Sequence, residues 1–262
     1  MSTIRSHCRR RPVIAFVVLA CAVSWTWWVT SWLLVGPVTR GHPWPTQLPG
    51  LLGPAIAAVL VTAATDGREG LADLGARLTR WRVPVRWWLL SALTLLAAVL
   101  VVLVAQDDVD WSQASEYSGT PNLGLGATFL LVWLVNGIGE ETGWRGFAVE
   151  RLLVTHGLVK TSLWVFLAWA AWHLPLFLVM ESFRGLGISV LGWLVGLACG
   201  SLVLTWIYTG AEHSILVVAL WHTSYNFASG TELTDGATAA VVSTAVIVAG
   251  ITIAWHHRDA RP

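Results

Sequence analysis

Long apolar stretches alternate with short polar ones along the whole chain. Crossing the ~30 Å hydrocarbon core of a bilayer takes about 20 apolar residues as a helix. The pattern predicts eight membrane-spanning helices, at residues 13–35, 48–64, 87–104, 123–138, 161–180, 188–208, 215–227 and 237–255. The predicted fold class is therefore all-α, a polytopic transmembrane helix bundle that forms a single integral membrane domain over residues 1–262.

Composition agrees with a membrane protein. Hydrophobic residues make up 55% of the chain and charged residues 12%, whereas soluble domains contain about 25% charged residues. Mean hydropathy is +0.65. A net charge of +1 gives no indication of a nucleic-acid partner, so the expected partners are membrane lipids. The first apolar stretch is longer than the about 7–15 residues of a signal-peptide core, and we expect it to be retained as a span.

The basic residues predict the orientation of the bundle. Cytoplasmic loops of membrane proteins are enriched in Lys and Arg. With a cytoplasmic N-terminus, every basic residue except Arg40 and Arg184 lies on the cytoplasmic side, and the outer loop 106–122 is acidic. Both termini are therefore predicted to be cytoplasmic. Between spans two and three, Leu and Trp residues at helical spacing in residues 71–82 predict a short amphipathic helix at the cytoplasmic interface.

Two consecutive glutamates follow the fourth apolar stretch. Ionisable residues at membrane depth are costly and usually functional. On a helix, Glu141 and Arg145 share a face and can form an ion pair, while Glu140 lies ~100° around the axis. Glu140 is then the carboxylate available as a general base. The alternative interpretation places both carboxylates at the membrane edge, where they reach water.

Three further polar residues occur inside later spans. His173 lies in the fifth span, one turn after Trp169 and just before Pro175. His222 and Asn226 are four residues apart in the seventh span, so they share a helical face. Two such groups are suited to hold a carbonyl oxygen as it gains negative charge. Alternatively, His173 makes a structural hydrogen bond, and His222 and Asn226 form a polar contact between helices.

The order of these motifs resembles that of the CPBP family, also called Abi or CAAX-type intramembrane proteases. In chain order they are EExxxR at Glu140, Glu141 and Arg145, an aromatic residue four positions before a histidine at Trp169 and His173, and HxxxN at His222 and Asn226. The resemblance implies a CPBP-like catalytic core at residues 126–230. It also implies an eight-span bundle around a conical cavity open to the cytoplasm, and a peptide or protein substrate, which is prenylated in one class. The family more often has Phe where this chain has Trp169.

The predicted function is that of an intramembrane endopeptidase. Glu140 is expected to activate a water that His173 positions, His222 and Asn226 to stabilise the oxyanion, and Glu141 to orient the site through Arg145. An alternative within the enzyme class is a zinc site with His173, His222 and Glu140 as ligands, because two histidines and one carboxylate form an accepted catalytic zinc set. The sequence does not separate these two mechanisms.

A non-catalytic immunity or scaffold protein and a transporter are the alternatives outside the enzyme class. A transporter typically shows paired broken helices in matching halves, and only one Gly-rich break is visible, near Glu140. A scaffold has no need for Glu140, His173, His222 and Asn226 together. The joint presence of these residues favours the enzyme. A single Lys against fifteen Arg indicates a GC-rich bacterial genome, so the expected location is a bacterial plasma membrane.

Overall fold

The computed structural model describes residues 10–39, 44–121 and 123–258. Within these residues the regular structure is helical, and strand pairing is limited to isolated bridges. The helices are α1 (Pro12–Val35), α2 (Gly53–Thr65), α3 (Gly67–Leu78), α4 (Val85–Ala105), α5 (residues 125–153), α6 (Leu158–Trp172), α7 (Leu176–Val179), α8 (Glu181–Arg184), α9 (Val190–Gly210), α10 (Ile215–Gly230) and α11 (Ala237–His257). Arg40 and the two terminal segments, which contribute to the topology prediction, lie outside the described residues.

Six helical stretches of the described residues are long and apolar enough to cross a membrane. They are Pro12–Val35, Leu48–Thr65, Val85–Ala105, Leu158–Val179, Gly187–Gly210 and Ala237–His257. The prediction of a polytopic all-α bundle is thereby confirmed. The other two predicted spans, 123–138 and 215–227, lie in α5 and α10, which carry the polar motifs. A total of eight spans and cytoplasmic termini stay predictions.

The outward faces of the helices are apolar. α4, for example, exposes Leu89, Leu93, Leu96, Leu100 and Leu103 along its length. Water-soluble proteins rarely expose apolar patches of this extent, whereas lipid is a favourable surrounding for such a surface.

α5 lies in the centre of the bundle, in contact with α1, α2, α6 and α10. Every residue from 139 to 149 is buried. The helix is continuous but not regular, because π-helical stretches at Trp133–Ile138 and Trp144–Val149 flank an α-helical turn at Gly139–Gly143. π-helical turns inside α-helices are rare and frequently mark functional sites. The turn between them carries both glutamates of the first motif.

Glycines of α5 allow neighbouring backbones to approach closely. A Cβ on Gly143 would lie 2.5 Å from Cβ of Pro54 and 2.7 Å from the carbonyl carbon and oxygen of the same residue. A Cβ on Gly137 would lie 2.7 Å from the carbonyl oxygen of Ala219. The central helix is therefore held against α2 on one side and α10 on the other at distances that a larger residue does not permit.

The amphipathic helix predicted at residues 71–82 is present, but its bounds differ. α3 begins at Gly67 and ends at Leu78, so Trp81 lies outside it and is 62% exposed. Leu74 is buried. Arg77 forms an ion pair with Glu150 at 3.0 Å, so α3 is anchored to the last turn of α5 by charge as well as by its apolar face.

Replacing Gly143 by Ala tests the close approach of α5 and α2. We expect G143A to lower the free energy of unfolding by about 1–3 kcal/mol, because the added methyl group meets backbone atoms that cannot move aside. The measurement is thermal unfolding of the purified protein in detergent. G196A in α9 is the matched control, since a Cβ there meets nothing within 4 Å. Equal unfolding temperatures for the two variants would contradict the proposed constraint.

Candidate active site

The polar residues predicted from separate spans meet inside the bundle. α5 contributes the two glutamates and Arg145, the end of α6 contributes Trp169 and His173, and α10 contributes His222 and Asn226. The exposed fractions are 2% for Glu140, 0% for Glu141, 0% for Arg145, 9% for His173 and 6% for His222, while Asn226 is half-buried. The alternative that both carboxylates reach water at the membrane edge is therefore wrong.

Glu141 is the carboxylate with two partners. Its Oε1 accepts hydrogen bonds from Arg145 Nη1 at 3.0 Å and from His222 Nδ1 at 2.8 Å. The first contact is the ion pair expected from the four-residue spacing. The second was not expected, because the sequence paired His222 only with Asn226. Glu141 therefore joins α5 to α10 as well as holding the guanidinium.

Glu140 has a different environment from its neighbour. Its Oε2 accepts one hydrogen bond, from Trp169 Nε1 at 2.9 Å, and no other described residue bonds to the carboxylate. Trp169 also covers Arg145, whose Cζ lies 4.8 Å from the ring centroid, and meets His222 edge-on at 5.5 Å. The Trp in place of the more usual Phe thus supplies an N–H donor that Phe lacks.

His173 caps the end of α6 among aromatic rings. Its Nδ1 lies 2.7 Å from the carbonyl oxygen of Trp169. Because a carbonyl only accepts, Nδ1 carries the proton of the neutral ring, and the lone pair of Nε2 remains available. The ring is surrounded by Trp172 at 4.9 Å, Trp193 at 5.4 Å and Phe183 at 6.0 Å between centroids. α6 ends immediately before His173, inside the span predicted at 161–180 and two residues before Pro175.

Asn226 lies one helical turn beyond His222. None of the described residues forms a hydrogen bond with its side chain, so the amide is available to a ligand.

Tyr117, from the loop before α5, packs close to these residues. Phe227, which follows Asn226, stacks on Tyr117 at 5.6 Å between centroids and 13° between planes. Burial, and to a smaller extent the charge of Glu140, raise the pKa of Tyr117. The loop that carries Tyr117 therefore packs near the site, which sequence reasoning missed because no local pattern marks this tyrosine.

The segment that carries these residues is similar in sequence to known proteins. Residues 122–228 match the family model described as Type II CAAX prenyl endopeptidase Rce1-like. The chain is also 23% identical over 228 residues to CAAX prenyl protease 2 of Methanococcus maripaludis, and the alignment covers 83% of each chain. Both matches support the CPBP family of CAAX-type proteases. They support a membrane endopeptidase, and nothing in the comparisons supports a scaffold or a transporter.

The donor groups of the described residues are not arranged as a metal site. Across residues 10–39, 44–121 and 123–258, no three His, Cys, Asp or Glu side chains are grouped so that they could hold a metal ion. A catalytic zinc site needs three protein ligand atoms about 2 Å from one point. Nδ1 of His173 contacts a carbonyl oxygen and Nδ1 of His222 contacts a carboxylate, and these contacts leave Nε2 of both rings free. Classification as a metalloprotease is therefore not supported.

Replacing Arg145 by Met tests how much the buried ion pair with Glu141 stabilises this protein. Losing one partner of a buried pair costs about 3–5 kcal/mol, because the remaining charge is left without compensation. We therefore expect R145M to unfold at a much lower temperature than wild type in detergent. The double variant E141Q/R145M should recover part of this loss, since residue 141 then carries no charge that needs the guanidinium.

The exposed Arg184 provides the control for this experiment. R184M removes the same charge from the surface and should leave the unfolding temperature unchanged. If R145M behaves like R184M, the pair does not stabilise the bundle.

Proposed function

We propose that this protein hydrolyses a peptide bond of a membrane-associated, prenylated peptide or protein by means of a water activated within the bundle. The observation that carries the proposal is the unequal environment of the two adjacent glutamates. Oε1 of Glu141 accepts from both Arg145 and His222 and its Oε2 is fully buried, whereas Glu140 accepts a single hydrogen bond, from Trp169. A carboxylate has about four lone-pair sites, so Glu140 keeps the capacity to bind a water.

In the proposed reaction, Glu140 takes a proton from the water while Nε2 of His173 accepts the second hydrogen bond and orients it. The water oxygen bonds to the scissile carbonyl carbon, and the carbonyl oxygen gains negative charge. Glu140 then returns the proton to the amide nitrogen as the C–N bond breaks. The products are a carboxylic acid, which keeps the second proton of the water, and an amine; they ionise to a carboxylate and an ammonium group, and the enzyme regains its starting state.

His222 and Asn226 are placed to stabilise the oxyanion. Nδ1 of His222 donates to Glu141, so Nε2 carries a hydrogen only when the ring is protonated. Glu140, Glu141 and Arg145 together leave one net negative charge, and a protonated His222 neutralises it. The imidazolium then donates from Nε2 and Asn226 donates from its amide. In this scheme Glu141 and Arg145 act through His222 and are positioning residues.

The substrate class is proposed from the relatives. The matched proteins are described as CAAX prenyl proteases, which indicates a lipidated peptide as the substrate here. The aromatic rings of Phe177, Phe183 and Trp193 pack against one another beside His173 and offer an apolar surface next to the proposed water. We propose residues 126–230 as the catalytic core and a bacterial plasma membrane as the location.

Glu140→Gln tests the proposed general base. Removing the base should lower kcat/KM by about 10²–10⁴-fold. The fold should be retained, because Gln has the same shape and its amide oxygen still accepts from Trp169. The measurement is cleavage of fluorogenic peptides, with and without a prenyl group, by protein purified in detergent.

The exposed Glu69 provides the matched control, since E69Q removes a surface carboxylate on α3. E69Q should cleave as wild type does. Equal cleavage by E140Q and wild type would refute the role of Glu140. Absence of cleavage by wild type across all peptides would favour the non-catalytic alternative.

Metal removal tests the mechanism without zinc. We expect activity to survive exhaustive dialysis against a chelator, because no step of the proposed reaction uses a metal. Elemental analysis of the dialysed, active enzyme should find less than stoichiometric zinc. Loss of activity that returns on addition of Zn²⁺ would instead support a metal site.

A further inference from the structure

Two Glu–His contacts join α5 to α10 and its preceding turn. Glu141 accepts from His222 inside the site. Glu150, nine residues after Glu141, contacts His213, nine residues before His222. Equal spacing in opposite directions is what an antiparallel pair of helices requires. With a rise of about 1.5 Å per helical residue, the contacts are on the order of 10 Å apart along the axis, so they lie at two levels of one interface.

The second contact belongs to a larger group of polar side chains, which we call the Glu150 cluster: Glu150, His213, Tyr208 and Arg77. Oε1 of Glu150 accepts from Tyr208 Oη at 2.7 Å as well as from His213, and Oε2 pairs with Arg77 at 3.0 Å. Donors from α3, from α9 and from the turn after α9 thus converge on one carboxylate at the end of α5. The proposed reaction uses none of these side chains.

The backbone at His213 is strained. Glu212 and His213 have φ values of +54° and +64°, which residues with a Cβ rarely adopt. Such a conformation persists when the surroundings over-determine it. Arg80 Nη1 donates to the carbonyl oxygen of Glu212, and Ser214 Oγ donates to the carbonyl oxygen of Arg80 at 2.6 Å. Hydrogen bonds to Arg80 on both sides of His213 therefore fix the backbone at the start of α10.

Between the two levels the helices are in close contact. A Cβ on Gly146 would lie 2.7 Å from Cδ1 of Ile215, the first residue of α10. Because a helix is stiff along its axis, an axial shift at His213 is carried to His222 and Asn226. The position of these two residues relative to Glu140 therefore depends on a contact outside the site.

We propose that Glu150 and His213 are positioning residues that set the axial register of α10 against α5, and with it the distance between the oxyanion donors and the general base. This inference rests on the proposed function for its effect on catalysis. The register itself is a structural property, so it can be measured without any activity.

The experiment compares variants of the Glu150 cluster. H213G removes the imidazole and also relieves the backbone strain, because Gly adopts positive φ readily. H213Q keeps a side-chain donor for Glu150, and E150Q weakens the contact from the other side. D73N is the matched control, since Asp73 pairs with the same Arg77 at 2.9 Å while its side chain is 63% exposed.

The first readout is kinetic. We expect H213G to lose about 10–100-fold in kcat, the size of effect that a misplacement of ~1 Å produces, while KM changes by less than about 2-fold. H213Q should recover most of the activity, and D73N should equal wild type. Wild-type kcat in both H213G and E150Q would overturn the inference.

The second readout is spectroscopic and independent of activity. The ring ¹⁵N resonances of His222, assigned by their loss in H222Q, report its hydrogen bond to Glu141 in histidine-labelled protein. They should shift in H213G and E150Q and not in D73N. Unchanged resonances in both variants would overturn the register argument, whatever the activity. If wild type cleaves no peptide but these resonances shift, the register stands and the proposed function fails.

Discussion

The structure of this protein depends on one buried ion pair, between Glu141 and Arg145, in the middle of an apolar bundle. Both side chains are fully buried, and removing such charges from water costs several kcal/mol per ion. Their own helix supplies only the contact between them. Trp169 from α6 covers the guanidinium, and His222 from α10 donates to the carboxylate. Three helices must therefore be correctly placed before these charges are tolerated.

The same constraint explains why the two glutamates differ. A carboxylate that accepts from a guanidinium and an imidazole through one oxygen, as Glu141 does, is held in one orientation. Its neighbour Glu140 points elsewhere and meets an indole N–H, which is a neutral donor. The two adjacent glutamates therefore have different chemical environments because their side chains point in different directions. Oε1 of Glu141 links Arg145 to His222, whereas Glu140 accepts one hydrogen bond and can still bind a ligand.

Sequence patterns predicted much of this arrangement where the information is local. Apolar runs identified the helices that the structure contains, and a spacing of four residues identified the pairing of Glu141 with Arg145. The π-helical stretches of α5 could not be foreseen, because a wider turn leaves no mark in a pattern interpreted at 3.6 residues per turn. The contacts of Glu141 with His222 and of Tyr117 with Phe227 join residues far apart in the chain. Such contacts follow from the packing of whole helices, which no local pattern encodes.

The double contact between α5 and α10 restricts how this part of the chain can change in length. Inserting one residue between Glu141 and Glu150 would move one contact by ~1.5 Å along the axis and ~100° around it relative to the other. A matching insertion between His213 and His222 would restore the axial distance, but the side chains would still face away from their partners. Homologous chains with the same pair of contacts are therefore free to vary the residues between them, while the lengths of both segments stay the same.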